Sequence, residues 1–330
     1  MKTNMKNLLL TTLLLAALPT LGTADDNSQL TGSVRIDGSS TVYPITEAIA
    51  EEFAEEAPRV RVTVGISGTG GGFKRFSAGE TDISDASRPI KAKEQKLCNE
   101  EGVEFIEVPV AYDGLTIVVN KENTWCDNLT VDQLKQIFLD GSTVKTWNDL
   151  NKDWPTTPLT MYAPGTDSGT FDYFKEVIVG KTGSIRSDMS VSEDDNVLVR
   201  GVSGDKGGIG FFGCAYYFEN KDKLKALAIY NGEVNVLPNN KTIESGKYAP
   251  FSRPLFIYVK KSALEKPAVK VFVDYYVENA GDMAEEVGYV RLPQDMYDRV
   301  IHNIETLRTG TQFIDDKGEK VHGALATVYE

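Results

Sequence analysis

Histidine is nearly absent from this chain of 330 residues, which contains only His302 and His322. Zinc hydrolysis and Ser–His or Cys–His catalysis need a histidine at the metal or nucleophile, so either would have to recruit one from the C-terminal end. Cysteine is also scarce, and none of Cys98, Cys126 and Cys214 has a metal-ligand spacing to another cysteine or a histidine. We therefore expect no catalytic residue, no metal site and no cofactor. An odd number of cysteines leaves open one disulfide with a free thiol, and the spacing selects no pair.

Long apolar segments are absent beyond the N-terminus. There, Lys2 and Lys6 precede an apolar run over residues 8–21, and Gly22-Thr23-Ala24 supplies the small residues that a signal peptidase reads. A run of roughly 14 apolar residues is too short to span a bilayer, which takes about 20. We therefore predict a signal peptide over residues 1–24, cleaved during export, and a mature protein in the periplasm.

Positive charge is in short supply as well. The chain has 35 lysines and arginines against 48 aspartates and glutamates, a formal net charge of −13. Loss of the signal peptide with its two lysines would leave the mature chain near −15. Such a chain lacks the broad basic surface that binds nucleic acid, so we expect no nucleic-acid partner. An anionic ligand would have to be held by local backbone dipoles and one or two well-placed cations.

Strand and helix patterns alternate along the mature chain, which at about 306 residues is long enough for two lobes of ordinary domain size. Residues 33–36 and 60–66 are typical of strands, and each leads through a loop into a helical pattern. This order predicts an α/β protein whose lobes each contain a mostly parallel sheet flanked by helices. Within it, we expect a glycine-rich turn at residues 67–72 and two separate strands at residues 103–110 and 115–120.

Three loops between a strand and a helix share one chemical design. They contain residues 39–41, 67–70 and 167–170, which combine hydroxyl side chains and glycine with the start of a helix. A helix N-terminus presents unpaired N–H groups and a partial positive charge, so each loop can bind an anion. Strand–loop–helix order also places all three at the carboxyl edge of a sheet, where α/β proteins bind ligands. Taken singly, each loop has an alternative as an ordinary N-cap or tight turn.

Nucleotide and hydrolase sites do not fit these loops. The run Ser67-Gly68-Thr69-Gly70-Gly71-Gly72 is followed by Phe73, where a dinucleotide-binding fingerprint needs its last glycine. It also lacks the Gly-Lys-Ser/Thr ending of a P-loop. The run Gly165-Thr166-Asp167-Ser168-Gly169 is one residue too long for the G-x-S-x-G elbow of a serine hydrolase. Anion binding is the interpretation that remains.

Arg88 is the cation that the sequence offers to such an anion. It closes the run Asp85-Ala86-Ser87-Arg88 at the end of a predicted strand. A guanidinium there can bind two oxygens of a tetrahedral oxyanion side by side. The alternative is a structural salt bridge to Asp82, Asp85 or Asp167, and the two roles are compatible.

Four segments together resemble the periplasmic phosphate-binding proteins of Pst-type ABC importers, within the type II solute-binding family. They occur in the family's order at residues 37–44, 67–74, 82–89 and 165–171. Tyr112-Asp113-Gly114-Leu115 and Ser252-Arg253-Pro254-Leu255 look like the two crossovers between lobes. The resemblance covers nearly all of the mature chain. It implies a Venus-flytrap fold with residues 25–112 and 255–330 in lobe 1 and residues 113–254 in lobe 2.

The resemblance also implies a function and a ligand-binding site. The mature protein would bind inorganic phosphate between the lobes and deliver it, as a monomer, to the membrane permease subunits of an ABC importer. The positions that match the family's contact segments are Ser40, Thr41, Val42, Ser67, Thr69, Ser87, Arg88, Ser168, Gly169 and Thr170. The alternatives are a binder of another tetrahedral oxyanion, such as sulfate or arsenate, and an exported phosphoesterase that retains the cleft.

The chain departs from the best-known enterobacterial pattern at two positions. Ser87 stands where that pattern has an aspartate, and Pro164 stands where it has an arginine. By analogy with a subgroup that carries a Ser-Arg pair, Arg88 would replace that arginine from the other lobe. Phosphate at neutral pH keeps a proton that sulfate lacks, so a selective site needs a hydrogen-bond acceptor. We expect Asp85 or Asp167 to supply it, and favour Asp167.

Overall fold

The computed structural model describes residues 27–166, 168–180, 182–192 and 194–330. The predicted signal peptide and Asp167 lie outside these residues, so both remain predictions. Among the described helices, none is long and apolar enough to cross a membrane.

Strands and helices alternate along the chain, as the sequence predicts. The strands are β1 Gly32–Gly38, β2 Val60–Ile66, β3 Ile83–Ala86, β4 Phe105–Asn120, β5 Asn128–Leu129, β6 Thr160–Pro164, β7 Ser190–Ser192, β8 Gly208–Gly213, β9 Leu224–Ala226, β10 Ala228–Tyr230, β11 Asn235–Val236 and β12 Ser252–Lys260. The helices are α1 Tyr43–Glu56, α2 Gly68–Ser77, α3 Ala92–Glu100, α4 Val131–Phe138, α5 Trp147–Leu150, α6 Gly169–Val179, α7 Asp195–Gly204, α8 Cys214–Glu219, α9 Asn240–Glu244, α10 Pro267–Glu286, α11 Gln294–Glu305 and α12 Leu325–Val328.

Most of the strands join in one long sheet. Its order is β2-β1-β3-β12-β4-β8-β6-β7, with β9 beside β4. At one end β2, β1 and β3 pair in parallel, and at the other end β8, β6 and β7 do the same. We call these ends, with the helices that pack on them, the first lobe and the second lobe. The expected parallel pairing is therefore found within each lobe, whereas β4 and β12 in the middle run antiparallel to their neighbours and make the whole sheet mixed.

Strand β4 connects the two lobes. The sequence predicts two strands here, but the structure has one continuous strand of 16 residues, all of them buried. Residues 112–114, between the two predicted strands, are extended because they pair with the start of β12, with Arg253 opposite Asp113. Both segments that resemble crossovers thus lie side by side in the middle of the sheet.

Helix α1 shows how local pattern places an element on the first lobe. Ile45, Ile49 and Phe53 follow at helical spacing and are fully buried, and Pro44 sits in the first turn, where its missing N–H is not needed. The ring of Phe53 packs edge-on against Phe272 of α10, with centroids 5.2 Å apart. Burial of one such ring contributes about 1.5–3 kcal/mol. The buried face therefore fixes α1, and with it the loop that precedes it.

The three cysteines are free and buried. Burial raises the pKa of Cys98 to about 11 and the pKa values of Cys126 and Cys214 to about 12. A thiol with such a pKa stays protonated near neutral pH and is a poor nucleophile. None of the three therefore supports a disulfide or thiol chemistry in this fold.

Candidate functional site

A cavity of about 790 Å³ lies between the two lobes. The first lobe contributes residues 39–41, 67–70 and 87–89, which include parts of two of the three predicted loops, and the second lobe contributes one face of α6. The lining is completed by residues 252–254 of β12, by Phe313 and by a C-terminal segment at residues 320–323. The loops meet here because β1, β2 and β3 are parallel and end at the same edge of the sheet.

The loop after β1 brings Ser39, Ser40 and Thr41 to the cavity, and Ser39 Oγ accepts a hydrogen bond of 3.2 Å from the Thr41 N–H. Gly38 ends the strand with φ near 153°, and a Cβ there would lie 2.2 Å from the backbone oxygen of Asp85, so only glycine fits. Ser40 lines the cavity and has no hydrogen-bond partner among the described residues. Thr41 Oγ1 accepts a hydrogen bond of 3.1 Å from Arg253, so its own proton is free to donate. The side chain of Val42 is buried in the core, which leaves only its backbone to face a ligand.

The glycine run at residues 68–72 corrects the sequence analysis. The sequence pattern predicts a glycine-rich turn at residues 67–72, but α2 already begins at Gly68. The reason is close packing, since a Cβ at Gly72 would lie 2.6 Å from the Cα of Gly38. Small residues let the N-terminal turns of α2 approach the end of β1. The helix N-terminus, rather than a loop, therefore faces the cavity.

Ser67 is held by a neighbouring ion pair. Its hydroxyl donates to Asp37, a buried carboxylate that also binds Arg75. The single hydroxyl proton of Ser67 is therefore not available to an anion, although the residue lines the cavity. Its role in the structure is to fix the start of α2 against the end of β1.

Thr69 and Ser87 form a hydroxyl pair on the cavity wall. Their oxygens lie 3.2 Å apart, and the backbone N–H of Ser87 donates to Thr69 Oγ1 over 3.2 Å. Whichever hydroxyl donates to the other, one proton of the pair remains unused. The two residues together can thus give one hydrogen bond to a ligand oxygen.

Arg88 lines the cavity, but its guanidinium is engaged by an acid that the sequence analysis did not name. Its Nη1 and Nη2 donate to the two carboxylate oxygens of Glu94, both over 2.8 Å, and Nη1 also donates to the Pro89 carbonyl. Asp82, one of the expected partners, instead binds Arg35 and Lys266. The salt-bridge alternative is therefore realised, with Glu94 at the start of α3 in place of an aspartate.

Asp85 was predicted to contact the ligand, but the structure places it away from the cavity. It is fully buried and does not line the cavity, because side chains of a strand alternate between faces and Asp85 points into the core beneath α1. Burial raises its pKa to about 7, and the nearby Asp37 carboxylate adds to this, while the nearby Thr46 hydroxyl opposes it. Asp85 cannot reach a ligand proton from this position.

Helix α6 presents its N-terminus to the first lobe. Ser168 caps the helix by accepting a hydrogen bond of 3.2 Å from the Thr170 N–H. A Cβ at Gly169 would lie 2.7 Å from the Cα of Thr41, so the starts of α6 and α1 touch across the cleft. Ser168, Gly169 and Thr170 adjoin the cavity at this contact and are not part of its lining.

Arg253 is a cavity residue that was not among the predicted site residues. Its Nε and Nη2 both approach Asp113 Oδ2 at 3.1 Å, and Nη2 also binds Thr41. The guanidinium lies 3.7 Å from the centre of the Tyr173 ring on α6, a close stacking contact. The only sign in the sequence was a basic residue inside a crossover segment. Its position depends on the register of β12 against β4, which no local pattern reveals.

Comparison with known proteins places this architecture in a family. Residues 23–280 match the family model of the PBP superfamily domain. It is 40% identical over 302 residues to the phosphate-binding protein PstS of Staphylococcus epidermidis, an alignment that covers 91% of each chain. It is 51% identical over 283 residues to protein SphX of Synechococcus elongatus, covering 85% of this chain and 83% of the relative. The chain belongs to the PBP superfamily, in the PstS family.

A solved structure supports the family's fold in detail. The crystal structure of a possible phosphate binding protein from Planctomyces limnophilus matches with a TM-score of 0.81 and 45% identity, over 84% of this chain and 99% of that one. The predicted two-lobed α/β fold of a periplasmic binding protein is therefore confirmed. The side chains described above come together in the cleft between the two lobes of this fold.

Proposed function

We propose that this protein binds inorganic phosphate in the cleft between its lobes and delivers it to the membrane permease of an ABC importer. The observation that carries the proposal is the meeting of α1 and α6 across the cleft at Thr41 and Gly169, beside the guanidinium of Arg253. Two helix N-termini and a cation form a site for an oxyanion with several charged oxygens. Relatives that are named phosphate-binding proteins support phosphate as that oxyanion.

The strength of such a site can be judged from its donors. Three kinds of donor point to the same region. They are the backbone N–H groups of the helix starts, one guanidinium, and the hydroxyl protons of Ser40, Thr41 and the Thr69–Ser87 pair. About five charge-assisted hydrogen bonds at ~1.5–3 kcal/mol each are enough for micromolar binding, which takes about 8 kcal/mol. The site holds a dianion within a chain of net charge −13 because these donors act at short range.

The finer assignments belong to the same proposal. We place the moving bodies at residues 25–112 with 255–330 and at residues 113–254, with β4 and β12 as the connection. Asp167 remains the proposed acceptor of the phosphate proton, since Asp85 lies in the core. The protein acts as a monomer in the periplasm after removal of residues 1–24, and binds its ligand without catalysis.

Calorimetric titration of phosphate-stripped protein tests the proposal. We expect saturable phosphate binding in the micromolar range or tighter, and binding of sulfate at least 100-fold weaker, since a carboxylate acceptor repels an oxyanion without a proton. Heat from neither anion would contradict an oxyanion-binding function. Equal affinity for the two would leave a general oxyanion binder and reject the selective phosphate site.

A further inference from the structure

We propose that Arg253, rather than Arg88, supplies the positive charge that holds the anion in this cleft. The inference rests on the proposed function and concerns a residue of β12, outside the four segments by which the chain resembles its family. On this assignment, the positive charge that balances the ligand comes from a different part of the fold. The cation would come from the strand that connects the lobes, and would contact both of them.

The contacts of Arg253 place it where the two lobes meet. Its Nη2 lies 3.1 Å from Thr41 Oγ1 in the first lobe, and its guanidinium stacks at 3.7 Å on Tyr173 in the second. Thr41 is the residue against which Gly169 packs, so the guanidinium adjoins the point where α1 and α6 meet. Its Nη1 has no hydrogen-bond partner among the described residues. Two N–H groups are therefore left for ligand oxygens beside two helix N-termini.

The geometry of Arg88 is less suited to this role. Glu94 binds the end of its guanidinium through both carboxylate oxygens, and the Pro89 carbonyl takes a further N–H. A bidentate carboxylate occupies the edge with which arginine grips a tetrahedral oxyanion. Arg88 also packs near Phe73 of α2, and no hydrogen bond among the described residues joins it to Thr41 or α6. It therefore belongs to the wall of the cavity.

Asp113 gives the proposal a second, opposite prediction. This carboxylate is 1% exposed and binds Arg253, which lines the cavity, through a single oxygen, so its negative charge offsets part of the positive charge that Arg253 presents there. Replacing Asp113 with the isosteric asparagine keeps an oxygen to orient the guanidinium but removes the negative charge. An anion bound to Arg253 would then be attracted more strongly.

The experiment is calorimetric titration of the phosphate-stripped mature chain with inorganic phosphate. The variants are Arg253→Gln, Arg253→Lys, Asp113→Asn and the double variant Arg88→Gln with Glu94→Gln. Arg291→Gln serves as control, since Arg291 forms an exposed ion pair away from the cavity and its loss changes net charge equally. Thermal unfolding of each unliganded variant reports whether the fold is retained.

Arg253→Gln is expected to weaken phosphate binding at least 100-fold and Arg253→Lys about tenfold, with Arg291→Gln close to the original protein. The Arg88/Glu94 double variant should bind phosphate at least tenfold more tightly than Arg253→Gln. Asp113→Asn should bind phosphate several-fold more tightly than the original protein.

If Arg253→Gln fails to fold, Asp113→Asn decides. Affinity of Arg253→Gln within threefold of the original protein, or no gain for Asp113→Asn, overturns the assignment while the proposed function stands. Absence of phosphate binding by the original protein overturns both.

Discussion

At the scale of single residues, partners decide what each side chain in the cleft can do. Ser67 and Thr69 are two residues apart and both carry a hydroxyl. The Ser67 hydroxyl donates its hydrogen bond to Asp37, whereas the Thr69–Ser87 pair has one hydroxyl proton without an acceptor. Arg88 is likewise engaged by Glu94. A hydroxyl or guanidinium at the cavity is thus a ligand donor only when its hydrogens have no other acceptor.

The buried carboxyl of Asp85 should make the free energy of unfolding depend on pH. Burial raises its folded pKa to about 7, so the folded protein keeps a proton that the unfolded chain releases near pH 4. This contribution to stability is complete at low pH and is lost as the pH rises from about 4 to about 7. Asp85→Asn does not titrate, so its free energy of unfolding should rise relative to the original protein by about 1 kcal/mol or more between pH 4.5 and 7.5.

Urea unfolding of both proteins at the two pH values measures this difference, and Asp316→Asn, at an exposed site, should show none. A constant difference between Asp85→Asn and the original protein would show that Asp85 titrates alike in both states.

The sequence predicts these residues unequally, for a physical reason. The hydroxyls at positions 40, 41, 69 and 87 could be found because each belongs to a local strand–loop–helix pattern, and the structure brings all four to one cavity. Arg253 could not, because its place depends on pairing with Asp113, a residue 140 positions earlier in the chain. The start of α2 was missed because glycine favours turns by local preference, whereas here it permits close packing.

At the scale of elements, the contact between α1 and α6 sets how far the lobes can close. Gly169 matters because its missing side chain lets the start of α6 touch Thr41. Any added carbon meets backbone atoms of Thr41, just before α1, which cannot turn aside as a flexible side chain would. Closure around a ligand should therefore be sensitive to the smallest substitution at this position.

Gly169→Ala is expected to weaken phosphate binding at least tenfold, because the added Cβ would lie 2.7 Å from the Thr41 Cα and keep the start of α6 away from Thr41. Thermal stability without ligand should change little, since the lobes can separate slightly to relieve the contact. Gly204→Ala is the matched control, as that glycine ends α7 and a Cβ there meets open space. Titration of both variants with phosphate tests the effect, and equal affinities would show that the helices need not meet for binding.

At the scale of the whole molecule, one sheet joins two lobes through β4 and β12. The antiparallel pairing of these strands places Asp113 and Arg253 at the connection itself, and Arg253 also lines the cavity. We therefore expect ligand binding and lobe closure to be coupled through the contacts of Arg253. A ligand that bridges Thr41, Arg253 and the start of α6 would stabilise the closed arrangement by the difference in its affinity for the two states.

The most direct measurement is a crystal structure of the protein with phosphate. The predicted result is one phosphate between the lobes, within hydrogen-bonding distance of Thr41, of Ser87 or Thr69, of Arg253 and of the backbone at the start of α6. A phosphate bound outside this cleft, or one that contacts a single lobe only, would contradict the account.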